Sequence, residues 1–259
     1  SNDFYDREWG TDPAVPMSED CLYLNIWTPA LRGYGADSMV ASEKLPVMVW
    51  IYGGAYQCGG TCEKEFDGTR LAANGVVVVS VAYRLNAFGF MTHPLLHEEA
   101  VERGDGEPYA NFGFLDQRAG IQWVKENIAK FGGDPENVTL FGQSGGGAKV
   151  LAMMTSPYAK GLFQKGIVQS GATETMGVKF NTQGSSTALA ENILKNLNIT
   201  PDNIEDIQYV SANDLEKAAA EGLTQTGEQL QIPTWTGDSY AMDWEPVVDG
   251  DFLPTDPVT

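Results

Sequence analysis

The stretch Val138-Thr139-Leu140-Phe141-Gly142-Gln143-Ser144-Gly145-Gly146-Gly147-Ala148 runs from an apolar strand pattern, through a serine framed by glycines, into a helical pattern. Val138 to Phe141 predicts a buried strand, and a helix is predicted from about Gly145 through Ala148 to Met154, its Met153 and Met154 read as core. Gly142 to Gly146 is a G-x-S-x-G placed between them, the context in which that motif forms a tight strand-to-helix elbow. In such an elbow the serine takes a strained backbone and its hydroxyl stands clear at the sheet edge. Ser144 is therefore a candidate nucleophile, and the N–H of Gly145, at the helix start, is a candidate donor to a developing oxyanion. A phosphate loop fits poorly. G-x-x-x-x-G is met from Gly142 to Gly147, but Ala148, Lys149 and Val150 follow where Lys and then Ser or Thr are required.

Working outward, further β-branched and apolar runs predict strands at Cys21–Trp27, Val47–Tyr52, Val76–Tyr83 and Gly166–Gln169. Near-continuous apolar strands predict a mostly parallel sheet with helices on both faces. A helix is predicted over Leu115 to Lys130, with Leu115, Ala119, Trp123 and Ile128 at helical spacing and Gly132-Gly133 as the stop. The fold class is thus α/β, with a core over 17–171, a helical insertion or cap over about 172–240 and an extended segment over 241–259. Helices are expected at Thr187–Leu197 and Pro201–Leu223, the second starting with the Thr200 hydroxyl as cap. Directly after the Val47 strand, Tyr52-Gly53-Gly54-Ala55-Tyr56 could supply backbone donors from small residues, although a plain turn fits the pattern equally. Tyr56, Trp235 and Trp244 are candidates for a pocket lining or, more simply, for core aromatics.

Composition narrows the function classes. The 259 residues are 42% hydrophobic and 20% charged, a globular balance. Against 16 Lys and Arg stand 35 Asp and Glu, a formal charge of −19 that argues against a nucleic-acid surface. No run approaches the roughly 18 apolar residues of a membrane-spanning helix. Cys21, Cys58 and Cys62 are too few for a disulfide scaffold, and Cys58 with Cys62 would give zinc only two ligands, leaving a loop disulfide or two thiols. No metal or organic cofactor is implied. Localisation stays open.

Four blocks, Ser18-Glu19-Asp20-Cys21-Leu22-Tyr23-Leu24-Asn25, Tyr52-Gly53-Gly54-Ala55, Gly113 to Gln117 with Phe131-Gly132-Gly133-Asp134-Pro135, and Phe141 to Gly146, resemble the type-B carboxylesterase, or cholinesterase-like, family of α/β-hydrolases. Weaker echoes continue at Val168-Gln169-Ser170-Gly171 and Pro246-Val247-Val248-Asp249-Gly250, so the likeness runs from about Met17 onward. The resemblance implies an α/β-hydrolase fold and a serine esterase. It makes Ser144 the acyl-forming nucleophile, the N–H groups of Gly54, Ala55 and Gly145 the oxyanion hole, and Ser170 a buried polar residue behind the nucleophile. Gln143 and Gly145 replace the glutamate and alanine that many relatives carry on either side of the serine, which points away from choline-like cations and toward uncharged alkyl or aryl esters. Ala55 replaces a third glycine of the oxyanion loop.

In this fold the triad runs Ser, acid, His, yet no histidine follows Ser144. The only two are His93 and His97, and His93-Pro94 resembles a family loop rather than a base. The resemblance places the acid and histidine beyond Thr259, so the chain is expected to be the nucleophile-bearing N-terminal or internal part of a longer domain, inactive alone and completed by a polypeptide carrying the C-terminal half. Such a piece should leave an apolar sheet edge uncovered. The rival is a non-catalytic cholinesterase-like binding module or inert fragment. Acyl transfer to an alcohol instead of water would use the same residues.

Overall fold

The five apolar runs become the five strands of one sheet: β1 (Leu24–Trp27), β4 (Leu45–Ile51), β5 (Val77–Val81), β6 (Gly133–Gln143) and β7 (Lys165–Gln169). Two short strands intervene, β2 (Leu31–Arg32) and β3 (Met39–Val40), paired antiparallel with each other. The computed structural model describes residues 15, 17–32, 39–40, 44–96, 98, 110–172, 179–234 and 236–257. His97 and Trp235 lie outside them.

Strand order is β1-β5-β4-β6-β7, with β1 antiparallel to β5 and all other pairs parallel. The register sets Val47, Val49 and Ile51 of β4 beside Val138, Leu140 and Gly142 of β6. Every residue of β5 is buried, as an interior strand covered on both faces requires. β7 departs from the buried strand that the sequence predicts: it lies at the sheet edge, largely exposed, with Ile167 44% accessible. An apolar run specifies a strand, not its place in the sheet order.

Two compact units divide the chain, one of Ser1–Arg84, Gly113–Val178 and Pro257–Thr259, the other of Leu85–Phe112 and Lys179–Asp256. In the first unit, α1 (Thr69–Ala72) precedes β5. The later helix of the β-α-β rhythm, α3 (Phe112–Asn127), follows α2 (Asn86–Phe90) of the second unit and ends in a 3-10 turn, Ile128–Phe131, closed by Gly132 at φ 82°. Its buried face is Phe114, Gln117, Ile121 and Val124, with Ile128 below, whereas Ala119 is exposed and Leu115 and Trp123 are half-buried. The predicted stripe is thus rotated. Gly120 gives the reason, since a Cβ there would stand 2.5 Å from Val81 Cγ1, so α3 seats this glycine directly on β5. The helix after the serine, α4 (Gly145–Thr155), buries Met153 but leaves Met154 53% exposed, so only one of the pair is core.

In the second unit, α5 (Gln183–Asn196) and α6 (Ala212–Leu230) pack as a pair. Gly222 allows close approach, because a Cβ there would meet Ile193 Cγ1 at 2.8 Å. The single helix predicted over Pro201–Leu223 is two: a kinked 3-10 segment, Pro201–Tyr209, and then α6, started afresh by Ser211, whose hydroxyl accepts the Asp214 N–H at 3.2 Å. At the first start, Thr200 is the N-cap and forms a capping box with Asn203, whose carboxamide oxygen accepts both the N–H and the hydroxyl of Thr200. Two short strands, β8 (Asn181–Thr182) and β9 (Val247–Val248), pair in parallel. Asn111 fixes the second by accepting the Val247 N–H and donating to Val247 O and Asp249 Oδ2, all between 2.8 and 2.9 Å.

Candidate active site

β4 and β6 are parallel neighbours, so the segments that leave their carboxyl ends emerge side by side. Ile51 pairs with Gly142, and one residue further on each chain the two turns meet. Ser144 holds φ 56° and ψ −128° between β6 and α4, the strained conformation an elbow demands of its serine. Its N–H donates to Gln169 O at 2.8 Å, and Gly171 passes so close that a Cβ would stand 2.5 Å from Ser144 O. The glycines around the serine are enforced in the same way. A Cβ on Gly146 would lie 2.1 Å from Ile51 O, and one on Gly142 would lie 2.6 Å from both Ile51 O and Gly146 O.

The loop after β4 closes over this turn. A Cβ on Gly53 would be 2.8 Å from Gln143 O and 3.4 Å from Ser144 Cβ, and one on Gly145 would be 3.2 Å from Ala55 N. Gly54, Ala55 and Tyr56 carry φ of 102°, 50° and 60°, a left-handed run in which only the first residue adopts that shape without strain. Gly54 O accepts the N–H groups of Gln57 and Cys58, which curls the loop tightly and leaves the Ala55 amide beside Gly145. Gly145 opens α4, so its N–H has no intrahelical acceptor. The predicted residues Ser144, Gly53 to Ala55 and Gly145 therefore form one constellation. Gln143 is half-buried, and its backbone pairs with Gln169 of β7.

Ser170 is corrected. It is exposed rather than buried, at φ 52° just past the edge strand β7. Tyr56 lies buried against Phe114 in the first unit, the ring centroids 6.4 Å apart, and Trp244 is buried in the second, so each is a core aromatic of its own unit. Cys58 and Cys62 are not joined by a disulfide. Among the described residues no three His, Cys, Asp or Glu side chains cluster to hold a metal, and no helix is long and apolar enough to cross a membrane. His93, in the second unit, accepts the Leu95 N–H on Nδ1 at 3.1 Å, and burial lowers its pKa against the raising effects of Glu191 and Glu98.

Beneath the constellation lie two features that sequence reasoning missed. Tyr52 and Tyr83 stack with centroids 4.1 Å apart and exchange hydroxyl-to-carbonyl hydrogen bonds, Tyr52 Oη donating to Tyr83 O and Tyr83 Oη to Tyr52 O. This pins the root of the oxyanion-type loop to the end of β5. Lys149 of α4 is completely buried, its Nζ 4.2 Å from the Tyr56 ring centroid. The only sequence signal is a lysine inside an otherwise apolar helix face, four residues after Gly145.

Residues 2–259 match the carboxylesterase family. The chain belongs to that family. Para-nitrobenzyl esterase of Bacillus subtilis is 42% identical over 242 residues, 93% of this chain and 43% of that protein. Bile salt-activated lipase of Bos taurus is 37% identical over 256 residues, 96% of this chain and 39% of the lipase. A solved para-nitrobenzyl esterase superposes with a TM-score of 0.78 at 36% identity, covering 97% of this chain and 46% of that one. The fold is accordingly the α/β-hydrolase fold, and this carboxylesterase-family chain spans less than half the length of the relatives it matches.

Proposed function

We propose that this chain carries the nucleophilic half of a serine carboxylic-ester hydrolase acting on uncharged alkyl or aryl esters. The observation that carries the reading is the backbone of Ser144, strained at φ 56° between β6 and α4 and lying against the loop that presents the Ala55 amide. Ser144 Oγ attacks the ester carbonyl and forms the acyl C–O bond, its proton passing to a general base. The carbonyl oxygen, now negative, takes hydrogen bonds from the N–H groups of Gly54, Ala55 and Gly145. As the carbonyl re-forms, the alcohol leaves with the proton from the base. Water then attacks the acyl-serine by the same route in reverse roles, releasing the acid.

No histidine follows Ser144 in the 259 residues, so the proposed reaction needs a base and a carboxylate partner from outside them, and in this reading a complementary polypeptide with the C-terminal half of the domain carries both. The exposed strand β7, with Ile167 and Met154 accessible, is the edge such a segment would cover. A fluorophosphonate reacts only with a base-activated serine. In the presence of the complementary polypeptide the 28.1 kDa chain is expected to gain one phosphonyl mass, and Ser144→Ala to gain none. Absence of labelling in that complete preparation would sink the proposal and favour a non-catalytic member of the family.

A further inference from the structure

Lys149 is 0% exposed, and among the described residues its Nζ has no hydrogen-bond partner. It stands 4.2 Å from the Tyr56 ring centroid and 5.1 Å from that of Tyr83, a two-ring seat for a cation. Four residues separate Lys149 from Gly145 on α4, so the side chain leans toward the helix start and covers the Gly145 turn. A Cβ on Gly145 would lie 3.3 Å from Nζ and 3.2 Å from Ala55 N, so the amine borders Gly145 and Ala55, two of the three residues whose amides are assigned to the oxyanion. A methyl there would crowd the amine, and glycine leaves the space to it.

A buried amine with no counter-ion is unfavourable at rest, and an apolar side chain of the same length would be easier to accommodate. Within α4 no other residue titrates. Among the described residues the titratable groups around the amine are Cys58 and Tyr56 of the loop, Tyr52 after β4 and Tyr83 after β5, with Glu63 acting on the last two. None is a carboxylate paired with Lys149. The place where a negative charge does arise is the substrate oxygen of the proposed reaction.

We infer that Lys149 is a positioning residue for that reaction: its ammonium holds the Tyr56 loop against the nucleophile turn and sets a positive charge behind the amides that receive the oxyanion. The inference rests on the serine-hydrolase reading. Burial pushes the amine down to about 7, opposed by Cys58, so the ammonium is the working form on the acid side of neutrality.

The test is the pH dependence of kcat/KM for a neutral ester, measured on the complete enzyme between pH 5.5 and 9.5, for wild type and Lys149→Met. Wild type is expected to lose activity on the alkaline side with a midpoint near pH 7. Lys149→Met is expected to lack that alkaline limb, to fall on the order of tenfold at pH 6.5, and to keep KM within about twofold. A Lys149→Met profile parallel to wild type would overturn the inference. Should Lys149→Met not accumulate folded, the wild-type rate of fluorophosphonate labelling gives a second reading, and a plateau up to pH 9.5 overturns the inference equally. Wild type that is labelled at Ser144 but shows either of those results sinks the role of Lys149 alone, whereas wild type without labelling sinks both readings.

Discussion

Ser144 keeps a backbone conformation that an L-residue holds only under constraint, and the constraint is visible on every side. Ile51, Gln169, Gly171 and Gly53 all press on the turn, and none leaves room for a wider path. Glycine adopts such a φ without penalty, so Ser144→Gly is expected to raise stability by about 1 kcal/mol while abolishing fluorophosphonate labelling. Urea unfolding of the two proteins checks it, and equal or lower stability would mean that the turn is not strained. Gly146→Ala acts in the opposite sense. Its methyl would have to occupy space 2.1 Å from Ile51 O, and a loss of about 3 kcal/mol or more is expected in the same assay. At this scale much was legible in advance: Ser144 and Gly145 follow from the motif between strand and helix, and the Tyr52 to Ala55 loop meets them as the family resemblance implies. Lys149 was not, because lysine in a sequence reads as a solvated charge, and only the positions of two tyrosine rings reveal a buried one.

Among the elements, α3 and β7 show what periodicity can and cannot settle. Two apolar stripes coexist on α3, one through Leu115 and Trp123 and one through Phe114, Ile121 and Val124. Bulk favoured neither. The contact face is the one that carries Gly120, since a helix approaches a sheet closest where it has no side chain. Gly120→Ala would force a methyl to within 2.5 Å of Val81 Cγ1, and an overpacking loss of about 1–3 kcal/mol is expected from denaturant midpoints. A neutral outcome would show that α3 can slide outward, loosening its hold on β5. For β7 the strand itself was legible but its exposure was not, because side-chain pattern encodes pairing and leaves strand order to the connections. The break before α6 was missed for a local reason: Ser211 and Asp214 start a new helix inside a stretch of continuous helical propensity.

For the molecule as a whole, the two units hold ionisable groups that respond to pH in opposite senses. Lys149 in the first unit titrates at about 7 when folded against 10.5 when unfolded, so between those values the unfolded chain binds the extra proton and stability rises with pH. Glu245 in the second unit is the reverse case. Burial pushes its carboxyl from 4.5 up to about 7, with Lys179 opposing and Asp243 adding to the shift. Through that window the folded chain binds the extra proton, and its stability falls as pH rises, reaching the full penalty above pH 7. In a chain already at −19, an additional half-buried negative charge is opposed, among the described residues, by Lys179 alone. Glu245→Gln removes the charge and keeps the shape, so it is expected to stabilise the protein by about 1–3 kcal/mol at pH 8 and by nothing measurable near pH 4.5. Denaturant unfolding of both proteins at the two pH values decides it, because a gain that is equal at both would trace to packing, and no gain at pH 8 would mean that the Glu245 carboxylate is already compensated in the folded chain.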